Sequence, residues 1–162
     1  MPTLARLAGI DLPDSGTGQG PDGASLVPLL EDLAATGKGW ALSQYPRCPT
    51  SSNVTDFYQD NKCEFVPRSA IPYMGYSLRT DDYRYTEWAS WDGARLRPMW
   101  DRLVGTELYE HDPVASEMCN RVENSCFDDF ENVNLATSRP AIVSRLSRLL
   151  HEIVANYSYS NA

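Results

Sequence analysis

Acidic pairs, two histidines, scattered arginines and four cysteines are the side chains in this sequence that could do chemistry. Asp81-Asp82 and Asp128-Asp129 could each offer two carboxylates to a cation. Adjacent strand residues point to opposite faces, however, and both pairs sit where turns are expected, so solvated turns are the better reading. His111-Asp112 could be half of a triad or of a metal site, but no second ligand lies nearby and Pro113 follows, which favours a strand-end turn. His151 falls on the polar side of a terminal helix and is expected to face solvent. No G-x-S-x-G sets up a serine nucleophile, and GTGQGPDG lacks the strand and helix that would make it a phosphate cradle. Arg47, Arg68, Arg79, Arg84, Arg95 and Arg97 could reach an anionic ligand, though pairing with the chain's own abundant acids is the simpler use. Trp88, Trp91 and Trp100 could stack on sugars or fill a core.

The cysteines speak to compartment. Cys48 with Cys63, and Cys119 with Cys126, form two local pairs, the pattern of two short disulfide loops, and no C-x-x-C suggests zinc. Two N-glycosylation sequons, Asn53-Val54-Thr55 and Asn156-Tyr157-Ser158, also fit an exported protein. MPTLARLAGIDLP lacks the apolar core and cleavage site of a signal peptide, so truncation at the front is expected. A net charge of −8 argues against nucleic acid as a partner. No apolar run reaches the length of a membrane span.

The elements that must position these residues follow from periodicity. With 162 residues, 11 prolines and 10 glycines, a loop-rich mixed domain is favoured over a bundle. Pro2 to Gly9 reads as the end of a helix, and Asp11 to Ala24 as a loop. Leu26 to Leu33 gives one or two helical turns broken at Pro28, and Trp40 to Tyr45 a strand. Pro46 to Ile71 is a long loop that a Cys48–Cys63 bridge would tie down. Met74 to Thr80 and Tyr83 to Trp88 alternate around Asp81-Asp82 as a hairpin, and Thr106 to Glu110 adds another strand. Ser138 can cap a closing helix with Pro140 in its first turn. Ile142, Val143, Leu146, Leu149, Leu150, Ile153 and Val154 make one apolar stripe along it. The expected fold is α+β: a small antiparallel sheet of about four strands under a long C-terminal helix.

The hairpin MGYSLRTDDYRYTEW closely resembles the C-terminal subdomain of type I sulfatases, in particular the iduronate-2-sulfatase-like branch. PTLARLAGIDLP, SLVPLL, ALSQYPR, ELYEHDP and ENVNLA come in that family's order. The resemblance implies an alkaline-phosphatase-like parent. Residues 1–40 would be the remnant closing its large catalytic domain, and residues 41–162 its small subdomain. It places the formylglycine nucleophile, in a C-x-P-S-R motif, and a calcium site in the larger domain. CPTSS at Cys48 does not match that motif, so no catalytic, cofactor or metal residue carries over to this chain. The stretch before the first hairpin strand approaches the uronate-binding rim in this branch, which singles out Tyr73 and, as the nearest cation, Arg68. The link carrying Cys119 and Cys126 is longer than the family's. The implied partners are the missing catalytic domain and, for the parent enzyme, a sulfated saccharide, in a secreted or lysosomal setting. The alternatives are a partner chain of a split sulfatase and a module binding sulfated glycans.

Overall fold

A computed structural model of the chain describes residues 1–13, 23–49, 63–111 and 131–159, with the side chains of 157–159 excepted. Two units are distinguished, residues 1–39 with 151–162, and residues 40–150.

The first unit contains α1 (Pro2–Leu7) and α2 (Val27–Glu31). α1 begins on Pro2, whose missing N–H costs nothing in a first turn. It ends where Gly9 turns left-handed at φ 65°. There Gly9 N–H donates to Arg6 O and Ile10 N–H to Ala5 O, the paired bonds that satisfy a helix's last carbonyls. Pro28 stands in the first turn of α2 and starts that helix, contrary to the expected break, because a first-turn residue has no N–H obligation. Leu26 N–H donates to Thr3 Oγ1 at 3.0 Å and ties the two helices together. Ala5 and Val27 are buried, whereas Leu4, Leu30 and Leu33 are 66%, 67% and 95% exposed, and Met1, Leu7, Ile10 and Leu26 are exposed as well.

The second unit is a meander of β1 (Ala41–Arg47), β2 (Tyr73–Arg79), β3 (Tyr83–Asp92) and β4 (Arg97–Glu110), in spatial order β1-β2-β3-β4, every pair antiparallel. It also holds a 3-10 turn at Arg68–Ala70 and the first half of α3 (Pro140–Tyr159). The expected α+β architecture is present. In the β2–β3 turn, Thr80 N–H donates to Tyr83 O at 2.8 Å, and Tyr83 N–H to Thr80 Oγ1 at 3.1 Å. Arg79 donates to the carbonyls of Thr80, Asp81 and Tyr83. Asp81 and Asp82 are exposed there, as solvated turn residues should be.

β4 is far longer than the strand read from Thr106 to Glu110. Its first half returns from a turn in which Asp92 Oδ1 accepts the N–H groups of Ala94 and Arg95, with Leu96 left-handed at φ 52°. Register shifts flank Ala89, which pairs with Leu103, while Ser90 pairs with Met99. The extra β4 residues let Trp100 meet the Tyr76 ring at 5.1 Å. Pro46 and Pro98 both lie on edge strands, where a missing N–H is tolerated.

One face of the sheet carries the core. Met74, Tyr76, Leu78, Tyr83, Tyr85, Ala89 and Leu108 are buried there together with Glu87, and Leu146 and Leu150 of α3 are buried too. Tyr85 donates to Glu87 Oε1 at 2.6 Å and also hydrogen-bonds Ser147 of α3. Ser138 does not cap α3 as expected. Its hydroxyl donates to Leu135 O, and the carbonyl of Arg139 instead receives the N–H groups of Ile142 and Val143.

Candidate functional site

The opposite face of the sheet gathers polar and aromatic side chains, because strand alternation sends them to the side away from Leu78, Tyr85 and Leu108, yet Trp88 and Thr86 there are buried as well. Register sets three rows across it. Ser43, Ser77, Thr86 and Glu107 form one row, and Tyr45, Gly75, Trp88 and Gly105 the next. Arg47, Tyr73 and Ser90 form the third.

Trp88 is the centre of this face. Its ring lies directly on Gly75, so closely that a Cβ there would stand 2.4 Å from Cζ3. The Arg47 guanidinium sits over the indole, 4.6 Å from its centroid, a cation–π contact. Trp88 Nε1 donates to Glu107 Oε1 at 2.6 Å, and Tyr109 donates to Glu107 Oε2 at 3.0 Å. Next to this assembly, Thr86 Oγ1 donates to Ser77 Oγ at 2.9 Å. A depression of about 200 Å³ is lined by Ser43, Gln44, Tyr45, Gly75, Ser77, Thr86, Trp88 and Glu107. Tyr45 is 52% exposed at its edge.

The two residues expected at a substrate rim lie near one end of the sheet. Tyr73 opens β2, half-buried, between Arg47 of β1 and Ser90 of β3. Arg68 is exposed at the start of the 3-10 turn. That turn rests on the β3–β4 bend, since a Cβ on Gly93 would meet Ser69 Cα at 2.5 Å. Cys48, one residue past β1, is disulfide-bonded to Cys63, with Cα atoms 5.3 Å apart, so that pairing is present.

Arg84 and Arg95 pair with acids as the simpler reading expected, whereas Arg79 bonds carbonyls instead. Arg95 donates to Asp92 Oδ2 at 2.9 Å, and this bond holds the Asp92 carboxyl below its ordinary range. Arg84 pairs with Glu131, Arg139 lies 3.6 Å from Glu110, and Arg79 caps its own turn. His111 is not the isolated turn residue the sequence suggested. Its Nε2 lies 2.8 Å from Glu131 Oε1, the oxygen that also takes Arg84 Nε, and Glu131 adopts a left-handed φ of 68°. The pair brackets residues 112–130. His151 is half-buried rather than solvent-facing. Among the described residues, no group of three or more His, Cys, Asp or Glu side chains could hold a metal ion, and no helix is long and apolar enough to cross a membrane. Asn156 is exposed on α3. Asn53, Asp112, Cys119, Cys126 and Asp128-Asp129 lie outside the described residues.

Burial sets the phenols apart from solvent chemistry. Tyr76 and Tyr85 are raised well above the ordinary phenol range by burial, Tyr85 additionally by its bond to Glu87. Tyr83 is raised by burial and then by Glu110, to which it donates at 3.0 Å.

Residue chemistry alone gave no role to Asn134. Its Oδ1 accepts Leu108 N–H at 3.0 Å and its Nδ2 donates to Thr106 O at 3.0 Å, so one amide side chain pairs with the outer edge of β4 like a short strand. Leu135 N–H then donates to Leu108 O at 2.8 Å. The signal available in the sequence was the ENVNLA segment itself, quoted as a resemblance and not as a structural device.

No protein-family model matches the chain. Among curated proteins it is similar to iduronate 2-sulfatase of Mus musculus, 38% identical over 76 residues, which is 46% of this chain and 12% of that protein. It is also similar to iduronate 2-sulfatase of Homo sapiens, 29% identical over 128 residues, which is 70% of this chain and 22% of that protein. The chain therefore spans less than a quarter of the length of these relatives. The resemblance to this kind of sulfatase is met again here: the chain is similar to the iduronate 2-sulfatases over a small part of their length.

Proposed function

We propose that this chain is the C-terminal part of a sulfatase of the iduronate-2-sulfatase kind. In that enzyme it buttresses a larger catalytic domain and forms one wall of the cleft that receives a sulfated saccharide. The observation that carries the reading is the chemistry of residues 1–39. Leu4, Leu7 and Leu30 on two very short helices, and Met1, Ile10, Leu26 and Leu33 flanking them, are all exposed, aliphatic surface that a protein body would bury. Residues 1–40 are on this reading the end of the large domain and residues 41–162 the small subdomain. Exposed Arg68 and half-buried Tyr73 face the substrate's anionic end from the rim.

Sulfate-ester hydrolysis belongs to the intact enzyme. Calcium there would polarise the sulfate oxygens, but the described residues of this chain offer no ligand cluster for it. Cys48 is committed to a disulfide and sits outside a C-x-P-S-R motif, so it does not fit the formylglycine precursor. The disulfide favours an oxidising compartment, secreted or lysosomal, in which Asn53 and Asn156 would be open to glycosylation.

An antibody against the α3 segment tests this in extracts of the source organism. It is expected to capture one polypeptide several times larger than 18.1 kDa that hydrolyses an aryl sulfate. An 18.1 kDa chain captured alone and inactive overturns the proposal. The same chain captured with a separate, larger, active polypeptide replaces it with a split enzyme.

A further inference from the structure

Asp92 ends β3, and Gly93 follows it into the bend toward β4. Asp-Gly is the dipeptide most open to spontaneous rearrangement, since glycine has no side chain to shield its backbone nitrogen. In that reaction the Gly93 nitrogen attacks Asp92 Cγ. A C–N bond forms, the carboxyl hydroxyl leaves as water with the amide proton, and a five-membered succinimide remains. Water then opens the ring at either carbonyl, returning aspartate or leaving isoaspartate, whose main chain runs through the former side chain. Here the carboxyl is held against such an attack. Oδ1 accepts Ala94 N–H at 3.2 Å and Arg95 N–H at 3.1 Å, while Oδ2 accepts from Arg95 Nη1 at 2.9 Å. The Asp92 side chain is only 16% exposed. Gly93 itself is pressed on the 3-10 turn, where a Cβ would stand 2.5 Å from Ser69 Cα. We propose that Asp92-Gly93 is a latent isoaspartate site, guarded in the fold by Arg95 and by the packing of Gly93 on Ser69.

Geometry and charge act in the same direction. Ring closure requires Cγ to swing onto the Gly93 nitrogen, whereas three hydrogen bonds draw its oxygens toward Ala94 and Arg95 instead. Closure also requires the carboxyl to shed hydroxyl, which the protonated acid does far more readily than the carboxylate. The Arg95 side chain first, then the N–H groups of Arg95 and Ala94, keep the Asp92 carboxyl below its ordinary range, and burial opposes them only in part. Arg97, the register partner of Asp92, and Arg68, beside Ser69 in the 3-10 turn, are exposed and add positive charge to the same bend. The carboxylate therefore persists as pH falls into the mildly acid range, where an unheld Asp-Gly would close. The position matters because isoaspartate lengthens the backbone by one carbon where Asp92 pairs with Arg97, at the bend from which all of β4 returns. The site belongs to the bend alone, so it stands or falls apart from the sulfatase reading.

Peptide mapping that separates aspartyl from isoaspartyl forms, on the full chain aged in mildly acid buffer, tests the assignment. Asp22-Gly23 supplies a second Asp-Gly in the same molecule as an internal reference. Asp92 is expected to convert severalfold more slowly in the native chain than in the same chain unfolded by urea. Arg95 is 69% exposed, so replacing it leaves the core and the backbone bonds to Oδ1 in place. Arg95→Ala should raise conversion at Asp92 severalfold without changing that at Asp22, in a chain whose circular dichroism matches the parent's. Arg95→Lys, which keeps the charge, should fall between the two. Equal rates at Asp92 in native and unfolded chains, an Arg95→Ala chain that ages like the parent, or an increase of the same size at Asp22 would each overturn the proposal.

Discussion

Replacing Gly75 with alanine tests how the polar face is built. The added Cβ would stand 2.4, 2.6 and 2.7 Å from three atoms of the Trp88 ring. Ordinary contact begins near 3.4 Å, so the indole must retreat by about 1 Å. Any such movement disturbs the Arg47 guanidinium, 4.6 Å from the ring centroid, and strains the 2.6 Å bond from Nε1 to Glu107. Overpacking costs about 1–3 kcal/mol, and losing a hydrogen bond to a charged partner costs about 1.5–3 kcal/mol. The stiffer unfolded chain offsets about 0.4–1 kcal/mol. The net expectation is a destabilisation of about 3 kcal/mol. In urea, with a slope of about 1–3 kcal/mol per molar, the midpoint should fall by about 1–3 M when followed by tryptophan emission. Gly39→Ala, which meets nothing within 4 Å, should stay within about 0.5 kcal/mol of the parent. Adding Trp88→Leu to Gly75→Ala should cost less than the sum of the two single changes, since the clash then has no ring to meet. A Gly75→Ala chain that unfolds at the parent's midpoint refutes the reasoning.

Asn134→Ala removes the partner of Leu108 N–H and of Thr106 O on an edge strand, and should cost about 1–3 kcal/mol in the same assay. Asn134→Asp keeps the acceptor and should fall between the two, while the unsealed edge of the alanine form should increase association seen by light scattering. Alkaline pH should unfold the second unit. Tyr76, Tyr85 and Tyr83 have phenols raised in the fold, so their contribution is complete below the ordinary value of about 10 and is lost as pH climbs above it toward the folded values. Absorbance at 295 nm should therefore show some of the nine tyrosines ionising near the ordinary value and the buried ones only as circular dichroism is lost. All nine ionising together in a folded chain would contradict the burial described.

Local pattern made much of the second unit legible. The alternation of Met74, Tyr76 and Leu78 put those three on the core face, and the stripe through Leu146 and Leu150 made α3 plain. Cysteine spacing indicated the Cys48–Cys63 bond before any coordinates. Features resting on distant partners stayed hidden. The first half of β4 carries Pro98 and irregular pairing around Ala89, so no clean period of two survives there. Glu131 reaches His111 across 20 positions, and Asn134 reaches Leu108 across 26, distances at which spacing carries no information. Gly75 looked like an ordinary strand residue because its role is to leave room for a ring 13 positions on, a fact that only the register of β2 and β3 supplies. Ser138 was misjudged for a different reason: the helix starts at Pro140, one residue later than a Ser138 cap requires, and the hydroxyl donates back to Leu135 O.

The Cys48–Cys63 link has a consequence for how the chain withstands proteases. It joins the end of one outer strand to the approach of its neighbour, so a single backbone cut anywhere between the two sulfurs releases nothing. The two pieces would migrate together on a gel until a thiol reagent separated them, and the severed outer strand would remain beside the sheet to which it is already hydrogen-bonded.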